Sequence, residues 1–579
     1  MIKNTLTTFL LSTVVALTAC KSNQPPAADN ANTASTDNYL QRDVRDDIFY
    51  FVLPDRFNNG DPQNDNGSNE HAISAGGLNL TTTSGFHGGD ITGIEQKLDY
   101  LEALGVTAIW MTPLLRNQAI QSDGVAHHGY WIVDFSEIDP HFGGNASLKK
   151  LIDAAHKKGI KVFFDIITNH TADIIRYDEC HMPNGQFKAG LTHCEYKALN
   201  NPMPYSPFIP EHLKNVKYPK WLNNVDYYHN QGDSTFSGES SLNGDFNGLD
   251  DLKTEHPQVV SGMVDIYQNL IKEFKPDGFR IDTVRHVNLE FWQTFTPAII
   301  DYAKAQGIPN FHVFGEVYDP NPKNLSVFTT EGKIPSVLDF AFQKIAADVF
   351  FKGQNPSAIS ELFAQDSLYQ DEDSQADLLM TFLGNHDMGR PGLFINQTFD
   401  HESDELKLKR SQLAHAFMFL SRGIPVIYYG DEQGFTGDGH DIDAREDMFA
   451  SNVASYNDNN LIGTTQTTAD NNFNQQHPLF KTIAQLSKLR KNHEGLRRGE
   501  YNDLFFAKNT GMFAFSRTVK GAEQAYIIVF NSEKTPQTIE FNSPYKHFSP
   551  LVAAEQLEQQ NGKLTVTLKG LSYSVYIAK

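Results

Sequence analysis

Long apolar runs are almost absent from this 579-residue chain. Only the first twenty residues, MIKNTLTTFLLSTVVALTAC, gather one, and it is too short to cross a bilayer comfortably. No transmembrane helix is therefore expected. Positive charge is the second shortage: 48 Lys and Arg stand against 70 Asp and Glu, a formal −22. That balance disfavours nucleic acid and anionic lipid as partners and suits neutral or cationic ligands. Cysteine is the third, with Cys20, Cys180 and Cys194 alone, too few for a four-thiolate metal site. Phe (41) and Tyr (22) are plentiful, enough to fill large cores or to offer flat surfaces for stacking.

The opening twenty residues carry a lysine near the start, an apolar middle and small residues at the end, the layout of an export signal. Leu17-Thr18-Ala19-Cys20 resembles the lipobox of bacterial lipoproteins. That implies acylation of Cys20 and a membrane contact made only through the lipid; an ordinary cleaved signal is the alternative. Lys21, where an aspartate would signal otherwise, resembles sorting to the outer membrane or cell surface of a Gram-negative bacterium. Residues 21–44 are polar and poor in large apolar side chains, and read as a disordered tether. In an exported chain, Cys180 and Cys194 point to a disulfide. His181 and His193 beside them keep a metal site open.

Past residue 45, short β-branched or aromatic runs alternate with amphipathic stretches. Strands are expected at 48–53, 106–111, 160–166, 278–282, 311–316, 336–340, 378–383 and 424–429. Helices are expected at 94–104, 148–156, 259–274, 289–304, 358–368, 406–420 and 479–490. In the third helix Val260, Val264, Tyr267, Ile271 and Phe274 form one stripe. Eight βα units with buried strands predict an α/β fold, a (β/α)8 TIM barrel over 45–170 and 256–498; a doubly wound open sheet is the alternative. Residues 171–255 are too long for a connection and predict a small domain inserted after strand 3. Period-two patterning over 499–579 predicts a C-terminal antiparallel β-sandwich domain.

Carboxylates gather where four of these strands end: Asp165, Asp282 after Arg280, Glu316, and Asp387 after His386. In such a barrel that end is the active face. Paired carboxyls, one ionised and one protonated, are what glycosidic cleavage needs. Arg280, on the same strand face as Asp282, should hold it as the anion, and Asp387 should help keep a proton on Glu316.

DIITNH (165–170), GFRIDTVRHV (278–287), VFGEVYD (313–319) and FLGNHD (382–387), in this order, resemble the four signature segments of the α-amylase family of retaining glycoside hydrolases. The resemblance implies Asp282 as nucleophile, Glu316 as general acid/base and Asp387 as stabiliser of the distorted sugar. It further implies substrate contacts from Tyr130 (in HGYW, 128–131), His170, Arg280, Arg285, His286 and His386. Cleavage would retain the α-configuration, with carboxyls about 5–5.5 Å apart. The substrate implied is an α-glucan cut internally at α-1,4 bonds. A transglycosylase with the same residues, or a non-catalytic glycan-binding lipoprotein, are the alternatives. Calcium is implied at Asn169, Asp251 and the His286 carbonyl. NGDPQND (59–65) with HGGD (87–90) resembles a second calcium loop of cyclodextrin-forming relatives, with Asn59, Asp61, Asn64, Asp65, Gly88 and Asp90 as ligands. These are turn-forming residues too. Two positions depart from the family pattern: Arg285 stands where lysine is usual, and Asp250 where many members have proline.

Overall fold

The computed structural model describes residues 39–67, 76–121, 124–506 and 510–579. The export signal, Cys20 and most of the expected tether lie outside them. Among the described residues no helix is long and apolar enough to cross a membrane.

All eight expected strands form: β1 (Phe49–Val52), β2 (Ala108–Met111), β3 (Lys161–Ile166), β4 (Gly278–Ile281), β5 (His312–Gly315), β6 (Ser336–Val337), β7 (Met380–Thr381) and β8 (Ile424–Tyr428). They pair in parallel in the order β6-β5-β4-β3-β2-β1-β8-β7. A single bridge from Leu338 to Met380 brings the two ends together. The open doubly wound sheet is thereby set aside. Each strand is buried along its whole length, which is why near-continuous apolar runs mark them. In β4, Phe279 packs against Tyr267 and Phe311, while Arg280 takes the opposite face and points into the barrel.

Five long helices frame the barrel: α1 (Gly144–Lys157), α2 (Pro257–Phe274), α3 (Leu289–Ala305), α4 (Asp404–Leu420) and α5 (Pro478–Asn492). Helix α2 starts at Pro257, with the His256 side chain accepting from the Gln258 N–H. Its buried face differs from the expected stripe in the first half. Val259, Met263, Ile266 and Leu270 are buried, whereas Val260 and Val264 are only partly so. The apolar face is wider than one line of residues, so its centre falls one position earlier. The tether also ends sooner than expected. Tyr39 stacks on His156 at 4.3 Å, and the Arg42 carbonyl accepts from Lys161 Nζ at 2.8 Å, so the chain is packed from Tyr39 rather than free to residue 44.

Between β3 and α2 the inserted segment is mostly irregular. Its ends are zipped by a short antiparallel ladder, His170–Thr171 against Asp250–Asp251. Cys180 and Cys194 are bonded, with Cα atoms 5.9 Å apart, so these thiolates are not metal ligands. Inside the segment, buried Lys217 pairs with Asp250, which also accepts from the Ile174 and Ile175 N–H groups.

The C-terminal region holds β9 (Glu500–Phe506), β10 (Met512–Thr518), β11 (Ala525–Asn531), β12 (Gln537–Asn542), β13 (Phe548–Val552), β14 (Gln556–Gln560), β15 (Lys563–Leu568) and β16 (Ser572–Ala578). One sheet runs β9-β10-β11-β16-β13 and the other β12-β15-β14, with Ile527 and Val529 facing Ile539 and Val566 in a shared core. The far face of the larger sheet presents Phe513 and Phe530 to Phe417 of α4. That double contact explains why all seven residues of β11 are buried.

Buried Arg517 of β10 fixes this domain to the barrel, and buried Arg490 of α5 braces the barrel side of the same seam. Arg517 donates to the carbonyls of Gly499 at 2.8 Å and Leu420 at 3.2 Å, and also to that of Ser421. Arg490 donates to Phe419 O at 2.9 Å and Gly423 O at 2.6 Å. Together they satisfy the orphan carbonyls at the end of α4. Arg517→Ala should therefore lower the urea unfolding midpoint by an amount equivalent to about 2–4 kcal/mol, the cost of stranding buried carbonyls. An unchanged midpoint would refute this role.

Candidate active site

A cleft of about 670 Å³ opens where the barrel strands end. Register builds its floor. Arg280 of β4 sits opposite Asp165 of β3 and Phe314 of β5, so its guanidinium reaches Asp165 at 2.7 Å, Asp282 at 2.8 Å and Glu316 at 2.9 Å. Glu316 also accepts from the Thr283 N–H at 3.2 Å. The two expected catalytic carboxyls are thus bridged by one cation, as a close pair would be.

Asp387 stands beyond β7, where Arg445 Nη2 approaches it at 3.5 Å. Tyr130 lies between the carboxylates and a histidine: its hydroxyl is 3.1 Å from Asp165 and 2.9 Å from His386 Nε2. His170 Nε2 and His386 Nδ1 are buried and have no partner among the described residues. Burial pushes His170 down to about 3 and His386 well below its ordinary value. Both rings are neutral and free to meet a hydroxyl. His286 Nδ1 bonds the Ser241 carbonyl at 2.9 Å, tying the inserted segment to the cleft. Arg285 lines the cleft, with Nη1 held at 2.6 Å by the Tyr318 carbonyl.

The expectation that Arg280 would dominate Asp282 needs correcting. Burial, with Glu316, Asp165 and Asp387 nearby, pushes the Asp282 carboxyl well up despite the arginine. One guanidinium shared among three acids offsets the burial of Asp165 and Asp282 only in part, so both are pushed up together.

Residues 51–499 match the family model for the alpha-amylase catalytic domain. The chain belongs to the alpha-amylase family. An alpha-amylase of Streptomyces lividans is 42% identical over 554 residues, covering 90% of this chain and 59% of the relative. This chain thus spans little more than half the length of that relative. A cyclomaltodextrin glucanotransferase of Klebsiella oxytoca is 26% identical, covering 91% of this chain and 76% of the relative. Among solved structures, an Anoxybacillus alpha-amylase superposes with a TM-score of 0.70 at 27% identity, covering 93% of this chain and 99% of that one.

Several residues that line this family member's cleft escape sequence reasoning: Phe236 and Phe246 from the inserted segment, Tyr318 after β5, and Asp441 and Arg445 after β8. Arg445 pairs with Asp441 and donates to the His386 carbonyl at 3.2 Å. They lie on loops without periodicity. A lone arginine in the acidic loop after a barrel strand is the one signal that could have flagged Arg445.

Of the residues expected to bind calcium, those of the 59–65 loop and 88–90 lie against one another, and Asn169 adjoins the His170–Asp251 pair. At the neck of the insertion, Asn169 Oδ1 is buried without a partner, while Asp251 is bonded to His229 Nδ1 at 2.5 Å. In the 59–65 loop, the buried Oδ1 atoms of Asn59 and Asn64 also have no partner among the described residues. Asp65 bonds Asn59 Nδ2 at 2.8 Å and Asp90 bonds Asn64 Nδ2 at 3.0 Å. A Cβ at Gly88 would come within 2.8 Å of Asp65, so only glycine lets the backbone approach so closely. Burial pushes both Asp65 and Asp90 up. Among the described residues, however, no group of three or more His, Cys, Asp or Glu side chains is disposed to hold a metal by itself.

Burial pushes Asp165 from 3.8 up to about 6, against the pull of Arg280. Because the folded value is the raised one, its stabilising effect is complete below 3.8 and is lost as pH rises through about 6. Asp165→Asn cannot ionise. The wild type should therefore lose up to about 3 kcal/mol relative to this variant between about pH 4 and pH 7, read by denaturant titration. A difference that does not change with pH would show that the proton is not held there.

Proposed function

We propose that the protein hydrolyses internal α-1,4 bonds of starch, glycogen or maltodextrins with retention of configuration. The observation that carries this is the Arg280 guanidinium joining Asp282 and Glu316 at the floor of a cleft lined by rings and neutral histidines. Asp282 Oδ1 is held by Arg280, which leaves Oδ2 to attack the anomeric carbon. As the glycosidic bond breaks, Glu316 gives its proton to the departing oxygen, and a glycosyl ester on Asp282 forms. Glu316, now a base, takes a proton from water, whose oxygen displaces Asp282 and restores both carboxyls. Asp387 lies where it can bind hydroxyls of the distorted ring, and Tyr130 stacks beneath it. His170 and His386 offer their free nitrogens to other hydroxyls.

Transfer to a sugar in place of water is the second reading. Tyr318 and Phe236, 50% and 41% exposed beside Arg285, offer faces on which an acceptor sugar could sit. Products separate the two readings.

Calcium is proposed at both loops, since the amide oxygens of Asn169, Asn59 and Asn64, unpartnered among the described residues, the buried carboxylates of Asp90 and Asp251 and the half-buried one of Asp65 are the hard oxygen donors it prefers. It would hold the inserted segment and the 59–65 loop in place and take no part in bond cleavage. Export with a lipid on Cys20, at the outer membrane or cell surface, is proposed from the sequence alone; the mature chain would meet polysaccharide outside the cell.

Asp282→Asn should cut kcat on soluble starch by about four or more orders of magnitude while starch still binds. Wild-type products should be linear α-anomeric maltooligosaccharides by chromatography with anomer detection. Cyclic or lengthened products would transfer the assignment to the transglycosylase, and full activity in the variant would overturn the mechanism. Chelation by EDTA should lower Tm by several degrees, and added calcium should reverse it. An unchanged Tm would count against bound calcium.

A further inference from the structure

On the flank of the barrel, away from the cleft, a groove of about 590 Å³ runs between α2 and the strap at 218–221. Phe135, Ile266 and Leu270, all buried, form its apolar floor. Tyr218 is fixed through its backbone, donating to Val133 O at 2.8 Å and accepting from Phe135 N at 2.9 Å, yet its side chain leaves it 48% exposed. Trp221 lies against Gly262 of α2. A Cβ there would come within 2.5 Å of the indole, so the glycine admits the ring.

Along α2, Gln258, Asp265 and Asn269 share one helical face with Gly262 and span about 16 Å of groove. Their side chains, the Tyr218 hydroxyl and the Trp221 N–H make no hydrogen bond within the described protein. Two rings and a row of uncommitted amide and carboxylate groups suit a polyhydroxylated chain: its C–H faces lie on the rings and its hydroxyls bond the polar row. Lys272 lines the groove beside Asp265, and Glu273 pairs with Lys149 at 3.2 Å, so the charges nearly cancel and suit a neutral chain.

We propose that this groove is a second α-glucan site, one that holds polymer while the cleft works on another part of it; this rests on the functional reading above. Short oligosaccharides cannot engage both places, so their turnover is independent of the groove.

The test uses Tyr218→Ala combined with Asn269→Ala, both exposed and outside the cleft, in active and Asp282→Asn backgrounds. Affinity electrophoresis in starch-containing gels should show affinity weakened about three- to tenfold in both backgrounds. The kcat/KM on a short maltooligosaccharide should stay unchanged. Undiminished retention of the variant, with the wild type hydrolysing starch normally, would overturn the groove alone. A wild type that neither cleaves nor is retained by starch would overturn the functional reading together with it.

Discussion

Arg280 has no solvent exposure and meets three carboxylates within 2.9 Å. A buried guanidinium is stable only when its neighbours are in place, because a stranded charge costs several kcal/mol. Those neighbours come from three adjacent strands, so the register β3-β4-β5 and the reactive pair are aspects of one arrangement. Strand register and the juxtaposition of the three carboxyls meet at the cation at the centre.

The scarcity of positive charge sharpens this point. A chain carrying −22 overall places Arg56, Arg280, Arg390, Arg490 and Arg517 among its most deeply buried large side chains. Arg390 binds Glu446 at 2.5 Å and Asp431 at 3.2 Å behind the cleft. Arg490 and Arg517 instead have carbonyls as partners, and burial pushes them down to about 9 and about 10. These arginines, with Lys217, organise the strand ends, the insertion and the seam with the C-terminal sheets from inside the protein.

The barrel was legible because fully buried parallel strands read as near-continuous apolar runs, here alternating with amphipathic helices. Asp282, Glu316 and Asp387 were legible because charge at the end of such a run has no cheap structural reason. Two kinds of feature were not. The face of α2 was misplaced by one residue in its first half, since periodicity marks a stripe but not which flank neighbours cover. Phe236, Tyr318, Asp441 and Arg445 sit on loops, where position comes from tertiary contacts that no local pattern encodes. Arg517 reads as an ordinary polar residue in a period-two strand; its meaning lies in carbonyls almost a hundred residues away.

The two-residue ladder at the neck of the insertion has an evolutionary corollary. Because Thr171 and Asp250 are paired, the barrel meets the long excursion between them as if it were a tight hairpin. Loop-closure entropy grows only slowly with length, and here the closing contact is already made by the ladder. Segments of different size or shape could be exchanged above this collar without loosening β3 or α2. Yet His170 and Asp251 are part of the collar itself, so each replacement inherits a fixed grip on a histidine that lines the cleft. Specificity can thus drift in the insertion while the chemistry below it stays anchored.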